Sequence, residues 1–486
     1  VTKAAASLDP RACHRALTAR EARFDGVFFV GVSTTGVYCR PICPARTPRA
    51  DRCTFFARAA EAERAGYRAC FRCRPERAPG VASVDAPQRL VTAALAAIDR
   101  GALVEASVDA LATSLGVSGR HLRRTLERAL GVTPIELETT RRLGLAKQLV
   151  TDTRMPLTQV ALASGFASVR RFHAAFAQRF ERTPTAVRAA RPGGTTRPKR
   201  EPMLTLRLDH RPPLDWDALL AFLGPRATPG VERVHGGAYE RLVAFDDAAG
   251  VLRVRPVPAH DALALEIPAA LAMHAAQLAR AVRDLFDLDA QPARIGEVLA
   301  RDRRLARLVR ARPGLRVPGA LDPFEVAVRI VLAQRVSARA ATTFAGRLAV
   351  RFGREIAGHD ALVRLPPTAA RLAAARAEEV AAIGIPRARA AAIVALARAV
   401  DRGRVDLSRR TPPRDVVRAL RALPGIGPFT AEGIAMRALA DVDAFPEGDL
   451  VLARVLGRDA VARAEPWRPF RAYGVMHLWT EHGERR

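Results

Sequence analysis

Cysteine is absent beyond position 73: all six cysteines fall between residues 13 and 73. An iron–sulfur cluster needs about four thiolates, so none can be held by the rest of the chain. Lysine is equally scarce, with none at all between 201 and 486. That long stretch therefore offers no lysine amine for a Schiff base. Also missing is any apolar run of the ~18 residues that a spanning helix requires. The N-terminus lacks a secretory signal pattern. These absences lead us to expect a cytoplasmic chain with no membrane partner. In a reducing compartment, clustered cysteines read as metal ligands rather than as disulfides.

What the chain does have is length and positive charge. Its 486 residues suit several domains, and its net charge is +29, from 78 basic and 49 acidic residues. The charge is spread throughout: +8 in 1–80 (15 against 7), +10 in 81–200 (19 against 9) and +11 in 201–486 (44 against 33). A field of one sign along the whole length attracts a polyanion, with nucleic acid first among them. Residues 81–87 read as a linker, and the breaker-rich Arg191-Pro192-Gly193-Gly194-Thr195-Thr196-Arg197-Pro198 reads as a boundary. Short β-like runs such as Val27-Phe28-Phe29-Val30 lie among the cysteines. Helical periodicity fills 88–190, alternation at Leu204-Thr205-Leu206-Arg207-Leu208 predicts a strand, and Ala/Leu/Arg helices dominate from about 286 onward.

Cys39-x3-Cys43 is followed after 26 residues by Cys70-x2-Cys73. Two thiol pairs on tight turns supply four soft ligands, the set that tetrahedral Zn²⁺ prefers. Spacing alone favours a structural zinc knuckle. The flanks add more: Thr34-Thr35-Gly36-Val37-Tyr38-Cys39-Arg40-Pro41-Ile42-Cys43 and Gly66-Tyr67-Arg68-Ala69-Cys70-Phe71-Arg72-Cys73-Arg74-Pro75 closely resemble the N-terminal domain of Ada-type methyl-acceptor proteins. The resemblance implies that Cys39 accepts a methyl group from a DNA methylphosphotriester, with Cys43, Cys70 and Cys73 as fellow zinc ligands. Zinc keeps such a sulfur as thiolate, which is the nucleophile. Arg40, Arg46, Arg72 and Arg74 stand near enough in sequence to hold phosphate. Cys53 reads as a small core residue. Cys13-His14-Arg15 is similar to the active-site triplet of O6-alkylguanine methyltransferases, but the preceding proline and the surrounding domain are missing, so it reads as a decoy.

Leu111-Ala112-Thr113-Ser114-Leu115-Gly116-Val117-Ser118 and Val160-Ala161-Leu162-Ala163-Ser164-Gly165-Phe166-Ala167-Ser168 share one pattern 49 residues apart. A small alanine lets two helices approach, glycine supplies a left-handed turn, and serine caps the next helix. One such match suits any helical hairpin; two resemble the paired helix-turn-helix of AraC-type domains. The resemblance implies that 118–128 and 168–179 read DNA through Arg120, Arg123, Arg124, Arg170 and Arg171. Phe166, Phe172, Phe176 and Phe180 read as core.

Leu420-x2-Leu423-Pro424-Gly425-Ile426-Gly427-x3-Ala431 is a helix-hairpin-helix signature, whose glycines let amide N–H groups meet phosphate without reading sequence. Asp449 follows 18 residues after Ala431. Taken by itself it suits an N-cap. With Pro212-Pro213-Leu214-Asp215-Trp216, Pro318-Gly319-Ala320-Leu321-Asp322-Pro323-Phe324-Glu325 and Trp467-x5-Tyr473-x3-His477-x-Trp479, the region resembles AlkA-type DNA-3-methyladenine glycosylases over nearly all of 203–486. The resemblance implies that Asp449 is the catalytic carboxylate, with Glu447 a bystander. It implies a monofunctional enzyme, since the Schiff-base lysine position is Phe429. It places Phe429, Trp479 and Phe222 around the flipped base, although Phe222 also suits a core. It places Gln334 and Arg335 in the gap left by that base, Arg335 standing where the best-known member has an apolar wedge. Gly425 and Gly427 contact phosphate, and the carbonyls of Arg421, Leu423 and Ile426 match a site for Na⁺ or K⁺. The family often has tyrosine where this chain has Gly433, which puts the lesion preference in doubt.

The expected fold is multidomain and mainly α with smaller α+β parts. The expected order is a small zinc methyl-acceptor domain (5–80), two helix-turn-helix units (88–190), a mixed α/β subdomain (203–285) and a helix-hairpin-helix glycosylase domain (286–486). The function implied is alkylation repair of double-stranded DNA, with Zn²⁺ as cofactor, methylation-controlled transcription regulation, and promoter DNA and RNA polymerase as further partners. The rival is a transcription activator with a structural zinc site and a degenerate glycosylase clamp.

Overall fold

The computed structural model describes residues 8–78, 89–99, 102–190, 203–245, 248–357, 361–409, 411–457 and 459–484. The expected linker at 81–87 and the boundary at 191–198 lie outside them. The chain forms two compact units. The first comprises Val1–Pro212, Val257–Arg280 and Leu288–Ala290; the second comprises Pro213–Pro256, Ala281–Asp287 and Gln291–Arg486. The architecture is mainly helical with small sheets, as the patterning leads one to expect. No helix among the described residues is long and apolar enough to cross a membrane.

In the first unit, the cysteine-bearing segment builds a four-stranded sheet in the order Cys53–Phe56, Phe29–Val32, Val37–Cys39, Arg68–Ala69. The first two pairings are antiparallel and the last is parallel. The strand expected around Val27 begins two residues later, because Gly26 is left-handed (φ 71°) and turns the chain there. At Gly31 a Cβ would lie 2.8 Å from the Tyr67 ring and 2.9 Å from that of Phe56, so only glycine fits between the two aromatics. Helix Pro10–Thr18 is started by Asp9, which accepts from Arg11 N, and by Pro10 at its first turn.

The segment after it reproduces the motif reading residue by residue. Gly116 (φ 72°) and Gly165 (φ 80°) are both left-handed. Ser118 and Ser168 both cap, accepting from His121 N and Arg171 N at 3.2 Å. The helices so started are Gly119–Leu130 and Val169–Phe180. Between the two helix-turn-helix motifs in sequence, and within the first unit, comes the long helix Pro134–Asp152, opened by a full capping box of Thr133 and Glu136. Phe172, Phe176 and Phe180 are buried at its side. Strands Met203–Asp209 and Ala262–Pro268 complete this unit as an antiparallel pair.

The second unit holds an antiparallel meander, Glu232–His235, Ala238–Phe245 and Ala248–Pro256. A set of helices follows, of which Pro323–Leu332, Arg387–Asp401, Pro413–Arg421 and Pro428–Ala438 pack together. Leu450–Leu456 packs on the last described helix, Arg471–Glu484.

Candidate functional site

The four cysteines come from the ends of short elements. Cys39 closes strand Val37–Cys39, Cys43 follows on a turn, and Cys70 directly follows strand Arg68–Ala69. Their sulfurs all lie within 4.8 Å of one another. Tetrahedral zinc with bonds of about 2.3 Å sets its sulfurs about 3.8 Å apart, so the residues fit the ion. Hydrogen bonds from Cys39, Cys43 and Cys73 hold the Cys70 thiol well below its ordinary range, while those from its three neighbours push Cys73 up. Sulfurs this close cannot all ionise against one another unless a cation balances them.

Burial does not single out Cys39: it is 7 % exposed, beside Cys43 at 6 % and Cys73 at 8 %. Hydrogen bonding does distinguish it. The N–H groups of Arg40 and Arg72 donate to Cys73 Sγ (3.3 Å) and Cys70 Sγ (3.4 Å), and the Ala45 backbone reaches Cys43. No backbone donor to Cys39 Sγ occurs among the described residues.

Two of the four arginines expected to hold phosphate are committed elsewhere. Arg40 is buried, with Nε on Asp25 Oδ1 at 2.8 Å, Nη1 on Asp209 Oδ2 at 2.7 Å and Nη1 also on the Cys73 carbonyl. Arg74 is paired with Glu76 and Asp152. Arg46 and Arg72 remain exposed. Cys13 is buried in a small apolar cluster with Ala16 and Phe28, and burial pushes its thiol up. Cys53 is only partly buried and packs against the zinc-ligand cluster.

On the helices after the two turns, Arg120, Arg124, Arg170 and Arg171 are exposed. Arg123 instead pairs with Asp109 of the preceding helix at 3.1 Å.

In the second unit, Asp449 is an N-cap, as its sequence neighbours alone suggest: Oδ1 accepts from Leu452 N at 2.9 Å. The same oxygen accepts from Trp479 Nε1 at 3.1 Å, which brings together two of the residues singled out from sequence. Among the described residues nothing donates to Oδ2. One oxygen is thus fixed by a helix N-terminus and an indole, and the other accepts from no described residue. Glu447 is exposed. Phe429 sits half-buried on the first turn of Pro428–Ala438, started by Gly427 and Pro428. Phe222 is partly buried beneath two guanidinium groups, with Arg226 at 4.0 Å and Arg437 at 4.9 Å from its ring centre. Burial, then repulsion from Arg226 and Arg329, pushes Arg437 down to about 9.

Gly425 is left-handed (φ 76°), and its added Cβ would lie 2.8 Å from Ala392 Cβ. The hairpin turn therefore lies tight on helix Arg387–Asp401. Of the three carbonyls expected to hold a cation, those of Arg421, Leu423 and Ile426, that of Leu423 accepts from Ile426 N at 3.3 Å. Gln334 donates into this hairpin, and Arg335 stands exposed beside it with φ 55°. Sequence reasoning missed the indole–carboxylate bond and the buried role of Arg40. Their partners are 30 residues away for Asp449, and 15 and 169 for Arg40. No local pattern signals either.

Three family models match: the metal binding domain of Ada over residues 12–76, a helix-turn-helix domain over 111–190 and the AlkA N-terminal domain over 205–322. Among curated proteins, the chain is 39% identical over 480 residues to the probable bifunctional transcriptional activator/DNA repair enzyme AlkA of Mycobacterium tuberculosis, covering 96% of this chain and 95% of that protein. It is 35% identical to DNA-3-methyladenine glycosylase 2 of Escherichia coli K12, over 57% of this chain and 97% of that protein. Among solved structures, the 3-methyladenine DNA-glycosylase of Archaeoglobus fulgidus has the same fold over 56% of this chain and 97% of its own, with a TM-score of 0.50 and 21% identity.

Proposed function

The chain belongs to the family of bifunctional transcriptional activator/DNA repair enzymes of the AlkA type, and from that premise we propose how its two centres divide the work. The protein is a DNA alkylation repair enzyme, a DNA glycosylase fused to an Ada-type zinc domain and a DNA-binding helix-turn-helix segment. The segments act as a methyl-acceptor domain (5–80), a double helix-turn-helix domain (88–190), a mixed subdomain (203–285) and the glycosylase domain (286–486).

The observation that carries the glycosylase reading is the Asp449 carboxylate. With Oδ1 held by Leu452 N and Trp479 Nε1, its charge is aimed before any substrate arrives. As the bond between sugar and damaged base breaks, positive charge grows on the sugar and the fixed carboxylate stabilises it. Water then adds to the sugar carbon, giving up a proton, and an abasic site remains. With no lysine in 201–486, release stops there. Phe429 offers a face to the flipped base, preferentially 3-methyladenine and other alkylated purines. The hairpin glycines grip the duplex through phosphate, aided by Na⁺ or K⁺ at the carbonyls of Arg421, Leu423 and Ile426.

At the first centre Cys39 is the methyl acceptor. Zinc, when bound, keeps the four sulfurs as thiolates at neutral pH. Cys39 Sγ attacks the methyl carbon of a methylphosphotriester; the S–C bond forms as the C–O bond breaks, and the phosphodiester leaves with the electron pair. Cys39 is favoured because backbone donors draw charge from the other sulfurs. Exposed Arg46 and Arg72 hold the phosphate. Methylation removes one negative charge beside DNA, and Arg120, Arg124, Arg170 and Arg171 then hold promoter DNA for RNA polymerase in the cytoplasm. Peptide mass mapping after reaction with methylphosphotriester duplex tests this: one methyl on Cys39 is expected, and a methyl on Cys13 or Cys53, or none, would end the acceptor reading.

A further inference from the structure

Gln334 lies in the turn between helices Pro323–Leu332 and Ala338–Phe352. A carboxamide has two N–H donors, and this one uses both inside the protein. Nε2 donates to the Gly425 carbonyl at 2.9 Å and to Thr430 Oγ1 at 2.9 Å. The amide cannot be turned over, because its oxygen would then face the Gly425 carbonyl. The Gln334 backbone carbonyl in turn accepts from Arg389 Nη2. Arg389 belongs to helix Arg387–Asp401, the same helix on which the Gly425 turn rests through Ala392. One helix thus backs both the hairpin and the Gln334 turn, and one carboxamide ties them together.

The next residue makes this tie consequential. Arg335 is exposed and left-handed, with φ 55°, a conformation that a non-glycine residue keeps only when its neighbours hold it. It is held on both sides: Gln334 is anchored as described, and Ser337 caps the following helix by accepting from Ala340 N at 3.2 Å. Sequence reading placed Gln334 with Arg335 in the duplex. The geometry keeps the donors of Gln334 within the protein and presents Arg335 alone.

We infer that Gln334 is a positioning residue that locks Arg335 to the phosphate-gripping hairpin, so that capture of the backbone sets the height at which Arg335 enters the space of the flipped base. This rests on the glycosylase reading of the site. Glutamine is required at 334 because Glu has the same shape but would set an acceptor against the Gly425 carbonyl.

The test uses the full chain in single-turnover excision. Two duplexes carry the same alkylated purine, one paired normally and one opposite an abasic position. A 2-aminopurine beside the lesion reports flipping. Gln334→Glu should slow excision about 10-fold or more on the paired duplex, and within about 2-fold on the other, where little stacking is lost by flipping. Affinity for undamaged duplex should hold within about 2-fold, because the hairpin N–H groups are untouched. Arg335→Ala should reproduce the pattern, and the double variant should be no slower than Arg335→Ala alone. Gln334→Met, with equal length and no donors, carries the same expectation if the glutamate variant melts early. Equal loss on both duplexes, additive losses in the double variant, or duplex affinity falling as it does for Gly425→Ala would overturn the inference. Wild-type protein that excises from neither duplex would overturn the glycosylase reading and this inference together. Active wild type with an unimpaired Gln334→Glu would overturn this inference alone.

Discussion

At the zinc centre the residue after the proposed acceptor sulfur, Cys39, is buried, whereas the residue after the proposed catalytic acid, Asp449, is open to solvent: Arg40 is 4 % exposed and Leu450 84 %. Arg40 turns inward to Asp25, Asp209 and the Cys73 carbonyl, so the backbone that carries Cys39 is clamped from behind. Asp449 opens a short helix, and among the described residues only its Oδ1 accepts, from Leu452 N and Trp479 Nε1. The difference fits the two chemistries. A sulfur that keeps its methyl group reacts once and never has to reset. A carboxylate that releases a base and starts again needs an open approach and an environment that is the same before and after. Rigidity serves the first centre and access serves the second, and the chain arranges each with the residue next to its reactive atom.

The two proposed centres should work independently of each other. Asp449→Asn should lower base excision by about 10²–10³-fold, as loss of a preorganised charge does. Duplex affinity and methylation of Cys39 should stay within about 2-fold of wild type. Residual excision within about 10-fold of wild type would place catalysis on another group.

Next in size is the clamp. Arg40→Met leaves Asp25 and Asp209 facing a buried apolar chain. The first unit should lose about 3 kcal/mol, read by denaturant melting, because breaking a buried pair strands its partners. Excision by the second unit should be unchanged. Burial pushes Asp209 up, yet the charges of Arg40 and Arg207 hold it below the usual carboxylate range, so the loss should be fullest at neutral pH and shrink as the pH falls and Asp209 protonates.

A smaller effect separates the units by pH. Burial, with Arg312 adding to it, pushes His477 down to about 4. The unfolded imidazole titrates near ~6.5. Between those values the unfolded chain binds the proton more readily. Stability of the second unit is therefore full above about pH 6.5 and lost as pH falls toward 4, by roughly 2–3 kcal/mol for this group. His477→Leu should flatten that slope in the second unit; an unchanged slope would assign it to other groups.

Smallest is Trp479→Phe, which keeps a ring and removes the N–H. One of two donors to Asp449 Oδ1 is lost, so kcat should fall about 5–10-fold with KM nearly constant. A raised KM or an altered lesion preference would mean that Trp479 acts by stacking on the base instead.

What was legible in the sequence was local. The left-handed Gly116 and Gly165 and the caps Ser118 and Ser168 follow from residues a few positions apart, and the structure has each in place. The cysteine spacing was legible because tight turns fix where each pair of thiols points. Hidden were the contacts that give each centre its character. Arg40 reads as a surface cation beside a cysteine until Asp209 arrives from 169 residues away. The family resemblance places Trp479 at the base pocket and Gln334 in the gap left by the flipped base, but a motif carries no direction: the indole donates to Asp449 and the amide to Gly425. The sequence neighbours of Asp449 suit a cap, and its family position suits a catalyst. It is a cap, and being one fixes the oxygen that accepts from Trp479.

The proposed division of labour puts a centre that is consumed and a centre that turns over on one chain, so the two differ in the number of events per chain. Full-length protein is mixed with excess duplex bearing both methylphosphotriesters and 3-methyladenine, and released base and protein mass are followed together. The protein should gain one methyl, on Cys39, and stop, while released 3-methyladenine should pass one equivalent per chain and continue at an undiminished rate. Base release that halts at one equivalent, or protein that gains several methyl groups, would contradict it.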